Sequence, residues 1–319
     1  MRTRPIQSSS DPVPTTHRSV LLQEALEILD IRDNDTVVDA TLGGAGHAKE
    51  IAKKLSPQGM LIGFDLDHDA IARAKVALAD ASCRVELIEQ NFRELGNALQ
   101  ARSVREIDKA LFDLGWSSFQ LEAGRGFSFN TNDPLLMTYS ANSSNWLTAQ
   151  EIVNLWTESS LADVIFGWGE ERFARRIARS LVERRKERPF TTARELAEAI
   201  AEAVPAGYRH GKTHPATKTF QALRIAVNDE LGALKDGLNA AFSHLRAHGR
   251  IAVITFHSIE DRIVKQYFAQ LEREGKAKRV NKKPLTPSLE ELQINKRARS
   301  AKLRAIEKLP YEHVAASTQ

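Results

Sequence analysis

With a single cysteine, Cys83, among 319 residues, the chain can form neither an intramolecular disulfide nor a cysteine-built zinc site. No apolar run approaches the roughly 18 residues that a membrane-spanning helix requires. Residues 1–16, MRTRPIQSSSDPVPTT, are polar and rich in proline and serine and lack the apolar centre of a secretory signal. They read as a disordered tail, and a cytoplasmic protein is expected. Two catalytic signatures are missing as well. A G-x-G-x-x-G turn begun at Gly44 needs glycine at position 49, where Lys49 stands, so no dinucleotide pyrophosphate turn is signalled. HLRAH, with His244 and His248, lacks the glutamate of H-E-x-x-H, and His210 and His214 bring no third ligand. These read as surface histidines, and no metal is expected. There is no internal repeat.

What is present suits a large globular protein: 42% hydrophobic and 27% charged residues, with length enough for two domains or one domain with a sizeable insertion. HRSVLLQEALEIL reads as an amphipathic helix. Strands are predicted at 36–40, 60–65, 84–88 and 109–113, with helices at 46–55 and 68–79 between them. Such alternation predicts an α/β protein with a doubly wound, mostly parallel sheet. From about residue 126 to 215 the pattern is helical, with Thr148, Ser159 and Thr192 as helix starts. A long helix near 215–245 precedes a returning strand, RIAVITF. The domains expected are a core of 17–125 with 216–319, and an inserted helical domain, 126–215. The insertion leaves at the carboxyl end of the strand ending in Asp113, where ligands bind in such sheets, so it serves as a lid or substrate platform.

VVDATLGGAGH (37–47) is the most informative stretch. A strand ends in Asp39, and a loop follows with Gly43, Gly44 and Gly46. One crossover helix later, MLIGFD ends in Asp65. Strand, glycine turn, helix, strand and acid is how a nucleoside cofactor is held: the glycines admit the ligand to the backbone and the later acid accepts from ribose hydroxyls. Asp39 suits a cationic tail better than two phosphates, and S-adenosylmethionine carries such a tail. The same loop also reads as a plain tight turn of an α/β domain.

Other motifs leave parallel readings. In KALFDLGWSSFQ, Asp113 is either a turn cap or an acceptor for an amine N–H, with Trp116, Phe119, Phe127 or Phe129 as core or as a face on which a base stacks. FHSIED fits a capping box of Ser258 with Asp261, and His257 is the residue there that faces a substrate. Residues 276–308 hold eleven Lys or Arg against three Glu, and 171–188 hold eight against three. Both are read as nucleic-acid contacts or as solvated faces.

HRSVLLQEAL, DATLGGAGH, LFDLGWSSFQLEAGRGFSF, GEERFARRIARSLV, KTHPATKTFQALRIAVNDEL, ITFHSIEDRIVKQYF and NKRARSAKLRAIEK, in that order, closely resemble the bacterial 16S ribosomal RNA (cytosine-N4)-methyltransferase family. The resemblance runs from His17 to Lys308. It implies a Rossmann-like class I methyltransferase core with an inserted helical domain. It also implies S-adenosylmethionine contacts at Ala45, Gly46, His47, Asp65, Phe92, Asp113 and Gln120, with Asp113 between cofactor and target amine. The implied substrate is one cytosine of the decoding region, within the 30S subunit. The residues expected to touch RNA are Trp116, Ser117, Phe127, His214, Lys218, Arg224, His257, Arg297 and Arg299. The chain departs from the family in three places. Relatives have glycine where Ala45 stands, a methyl that a negative φ accommodates. They have proline at Phe119. They carry L-D-M-R-M-D where this chain has Leu135, Leu136, Met137, Thr138, Tyr139 and Ser140. The reading is therefore N4-methylation of 16S ribosomal RNA. The alternatives are a methyltransferase for a small molecule or another RNA, and a ribosome-assembly protein that has lost catalysis.

Overall fold

The computed structural model describes residues 18–115, 124–140 and 147–310. The apolar runs of the first third form parallel strands, β1 (Thr36–Asp39), β2 (Met60–Asp65), β3 (Arg84–Glu89) and β4 (Ile107–Asp113). Helices α1 (Leu22–Leu29), α2 (Gly46–Lys54), α3 (His68–Ala77) and α4 (Leu95–Ala101) precede or join them. β1, β2 and β4 are buried along nearly their whole length, which is why they read as continuous apolar runs and not as alternating ones. β5 (Leu245–Thr255) extends the parallel set beside β4.

Two strands were not anticipated. β6 (Ala277–Arg279) and β7 (Lys302–Lys308) come from the basic C-terminal segment and complete a seven-stranded sheet in the order β3-β2-β1-β4-β5-β7-β6. β7 pairs antiparallel with β5 and with β6. One face of the sheet is covered by a core that includes Leu26, Ile51, Leu61, Leu111 and Leu303, the other by one with Val38, Ile62, Phe64, Phe112 and Phe268.

Past β4 the chain is helical: α5 (Ala149–Leu155), α6 (Glu158–Gly169), α7 (Ala174–Glu187), α8 (Ala193–Ala203) and α9 (Ala206–Arg209). Thr148 and Thr192 each close a capping box with the glutamate three residues on. α6 begins at Thr157, whose hydroxyl accepts from Ser160 N, and not at Ser159. These helices share a third core, with Ile152, Leu161, Ile177, Leu196 and Ile200, which also takes in Phe127 and Phe220. α7 buries Ala174, Ile177, Ala178 and Leu181, so most of its arginines project away from that core.

The single long helix predicted near 215–245 is two, α10 (Thr217–Asn228) and α11 (Glu230–His244). Asp229 between them is left-handed, φ 46°, and the break turns Glu230 toward the sheet ends. α12 (Ser258–Arg273) and α13 (Leu289–Ile294) follow. The start of α12 corrects the predicted cap: His257, not Ser258, is the N-cap, and Glu260, not Asp261, closes the box. Asp261 instead pairs with Arg304 of β7, Nε to Oδ1 2.7 Å. Among the described residues, no helix is long and apolar enough to cross a membrane.

Candidate active site

The strand order reverses between β1 and β4, and a cavity of about 730 Å³ opens at their carboxyl ends. Its wall includes Gly43, Gly44, Gly46, His47, Asp65, Phe92 and Asp113, from four different chain segments. The loop after β1 is drawn tight by Ala45 N donating to Leu42 O (2.6 Å) and Leu42 N to Phe64 O (3.0 Å). Gly46 lets Ser19 pack close, because a Cβ there would lie 2.1 Å from Ser19 Oγ and would force that hydroxyl to turn away. Ala45 adopts φ 58°, a left-handed conformation, so the negative φ expected for it is not what the chain adopts. Its methyl is buried, within the core under α1 and α2 and not in the cavity.

Three carboxylates converge on this loop. Asp65 accepts from Gly43 N (2.8 Å) at Oδ2 and from Asp67 N (2.9 Å) at Oδ1, and burial raises its pKa. Asp39 is 1% exposed; Oδ1 accepts from Thr41 N (3.1 Å), while Oδ2 has no hydrogen-bond partner among the described residues. Burial, with the charges of Asp113 and Asp65 adding to it, pushes its pKa up to about 8. Asp113 accepts from Gly115 N (3.0 Å) at Oδ1, and its own N–H donates to Thr41 Oγ1 (2.8 Å). His47 Nδ1 stands 3.4 Å from Asp113 Oδ2. Phe92 meets Phe112 edge-on, centroids 5.5 Å apart, and a Cβ on Gly237 would lie 2.6 Å from the Phe92 ring.

The opposite wall carries Tyr139, Asn228 and Glu230. Glu230 takes both arms of Arg224 (2.6 and 2.8 Å) and the Tyr139 hydroxyl (2.7 Å). Burial, then the Glu230 charge, raises the Tyr139 pKa well above its ordinary value. Glu230, His257 and Glu260 have ligating atoms within 4.8 Å of one another. Arg224 already supplies Glu230 with a cation there.

The structure brings together Gly46, His47, Asp65, Phe92 and Asp113, with Ala45 behind them. Gln120, Trp116, Ser117 and Phe119 lie outside the described residues. Arg297 is exposed on the cavity wall, and Arg299 is exposed two residues on. Three residues expected to reach RNA are used internally. Arg224 is 6% exposed and braces Glu230. Phe127 is 5% exposed and stacks on Tyr139, centroids 5.9 Å apart. His257 caps α12, its Nε2 2.9 Å from Glu260 Oε1 but without the alignment of a hydrogen bond. His214 is exposed yet stacked on Phe129 (4.4 Å), and Lys218 donates to Glu170 O (2.9 Å). The sequence reading missed Glu230, Tyr139 and the Arg18–Val20 stretch as cavity wall. The only local signal for Glu230 is the polar N-D-E that interrupts an otherwise helical pattern.

The chain is similar to named proteins over most of its length. A protein of Brevibacillus brevis named ribosomal RNA small subunit methyltransferase H is 45% identical over 309 residues, covering 92% of this chain and 98% of that protein. One of the same name from a Paenibacillus species is 46% identical over 315 residues, covering 92% and 99%. An rRNA methylase from Streptococcus thermophilus superposes with a TM-score of 0.45 at 14% identity, covering 92% of this chain and all of that one; that likeness is too slight to build on. The sequence model of the MraW methylase family matches residues 14–309, and the chain belongs to that family.

Proposed function

We propose that this protein transfers the methyl group of S-adenosylmethionine to N4 of a cytosine in 16S ribosomal RNA, acting in the cytoplasm on the 30S subunit. The observation that carries the reading is the convergence of Asp65 and Asp113, from the ends of β2 and β4, on one cavity at the reversal of strand order. The chain's membership of a methylase family and the name its relatives carry support both reaction and substrate class. The cavity fits the cofactor. Its volume falls within the roughly 300–1,000 Å³ usual for such ligands. Its wall carries the carboxylates of Asp65 and Asp113, which suit a ligand with hydroxyls and a positive charge.

The backbone of Ala45, Gly46 and His47 is assigned to the methionine end, Asp65 to the ribose, Phe92 to the adenine, and Asp113 with Gln120 to the space between cofactor and amine. When bound, S-adenosylmethionine supplies a methyl group activated by a sulfonium. The protein's part is alignment: Asp113 accepts a hydrogen bond from the cytosine N–H and so helps free the nitrogen lone pair from the ring. Trp116, Ser117 and the 126–215 domain are assigned to holding the base and its flanking RNA, and Arg297 and Arg299 to phosphates. A helical unit apart from the sheet is supported by the separate core of α5 to α9, which α10 joins through Phe220, Leu223 and Val227, so that the unit extends past the 126–215 bounds read from the sequence.

The test is to incubate protein with labelled S-adenosylmethionine and 30S particles lacking the modification, then identify the labelled nucleoside. N4-methylcytidine is expected, and Asp113→Ala should abolish it. Label at another base refutes the assigned target. Particle binding with no label points to an assembly protein.

A further inference from the structure

The geometry around His47 fixes where its ring proton sits. Nε2 lies 3.2 Å from the carbonyl oxygen of Val20, an atom that can only accept, so Nε2 carries the hydrogen. Nδ1 is 3.4 Å from Asp113 Oδ2. The side chain is 6% exposed, and burial lowers its pKa even against the pull of Asp113. A neutral ring with its hydrogen on Nε2 aims the Nδ1 lone pair at a carboxylate oxygen. Two acceptors then face each other with no proton between them, an arrangement that costs energy in a buried site. One added proton turns it into a hydrogen bond.

We infer that His47 and Asp113 form a paired proton acceptor that takes up the proton released by methyl transfer. The inference rests on the function proposed above and deepens it. As the cytosine nitrogen forms its bond to the methyl carbon, the carbon–sulfur bond breaks and its electron pair stays on sulfur. The nitrogen is left cationic with one proton too many. Asp113, in contact with the amine, receives that proton on Oδ2, and His47 Nδ1 shares it. The proton leaves to water through Asp113, whose side chain is 19% exposed. His47 acts through Asp113 and is a positioning residue. The other charged groups facing the pair are Asp39 of β1, Asp65 of β2 and Glu291 of α13, with Arg18, Lys296 and Arg297 on the cavity wall. The carboxylates favour uptake of a proton and the cations oppose it.

Two measurements test this. Nitrogen-15 NMR of histidine-labelled, ligand-free protein at pH 8 should show His47 neutral with its hydrogen on Nε2, gaining a second proton at Nδ1 on acidification. In Asp113→Asn that gain should move to lower pH. A hydrogen on Nδ1 at pH 8, or an unchanged titration in the variant, overturns the pairing whether or not the enzyme is active. In single-turnover methylation of 30S particles, His47→Gln keeps a donor toward Val20 and deletes Nδ1. Its acid limb should lie about one pH unit below that of the parent, and its plateau rate should fall about tenfold, a modest share of what acid–base catalysis contributes. An unmoved limb overturns the pair alone. If the parent makes no N4-methylcytidine, the proposed function fails, and the inference with it.

Discussion

Ala45 and Asp39 show how far single residues in the glycine loop depart from ordinary chemistry. A non-glycine residue at φ 58° costs about 1–2 kcal/mol, while burying one methyl returns about 0.8 kcal/mol. Strain wins narrowly. Ala45→Gly should therefore hold or raise the urea midpoint, against the usual loss of about 0.5–1 kcal/mol for glycine in regular structure. A drop beyond 1 kcal/mol would show that the methyl matters more than the backbone. Asp39 carries a pH dependence. Its folded pKa, about 8, exceeds the ordinary 3.8, so between those values the folded protein holds a proton that the unfolded chain has released. Its contribution is fully present below about pH 4 and is lost as pH rises through 8. Relative to Asp39→Asn, the parent should lose stability between pH 5 and pH 8, read from urea midpoints at both values.

At the scale of elements, β1 to β5 and the capped helices were legible because each announced itself locally. Continuous apolar runs mean buried parallel strands, and threonine followed three residues later by glutamate means a helix start. β7 was not legible. KLRAIEK reads as a basic arm, yet its middle residues are buried and Arg304 is 7% exposed. The arginine is tolerated because Asp261 of α12, far away in sequence, meets it at 2.7 Å, a partner that no local pattern reveals. The break at Asp229 escaped notice for a related reason: the polar N-D-E that marks it also suits a solvated helix face, and a left-handed φ is not written in residue type. The site was half legible on the same logic. Its loop and strand-end acids are local motifs, whereas the Glu230–Arg224–Tyr139 wall is assembled by tertiary packing. Arg304→Met should cost about 2 kcal/mol in chemical denaturation. That is less than the ~3–5 of a wholly stranded buried ion, since Lys302 Nζ stays 3.2 Å from Asp261. No measurable loss would mean the pair contributes nothing to holding β7 on α12.

Across the whole molecule, charge is divided between cohesion and surface. Of the eleven basic residues in 276–308, six are engaged internally. Among the described residues, Arg297 and Arg299 make no ion pair, and Arg297 stands on the cavity wall. With 30S particles, Arg297→Ala should weaken binding and reduce the slope of log affinity against log salt by about one. An unchanged slope would remove Arg297 from the phosphate contacts. The same segment closes the cavity: Glu291 Oε1 accepts from Leu21 N (2.9 Å), and Asn295 Nδ2 donates to Arg18 O (3.2 Å). Residues some 270 positions apart in sequence thus share one wall, and β5 gains its second neighbour only with β7. Domains generally form from the N-terminus as the chain is synthesised, yet here the pocket stays open-sided until residues near 300 have been translated. A growing chain, or one truncated before that segment, has the glycine loop without this wall, so the cavity is complete only once both segments are joined.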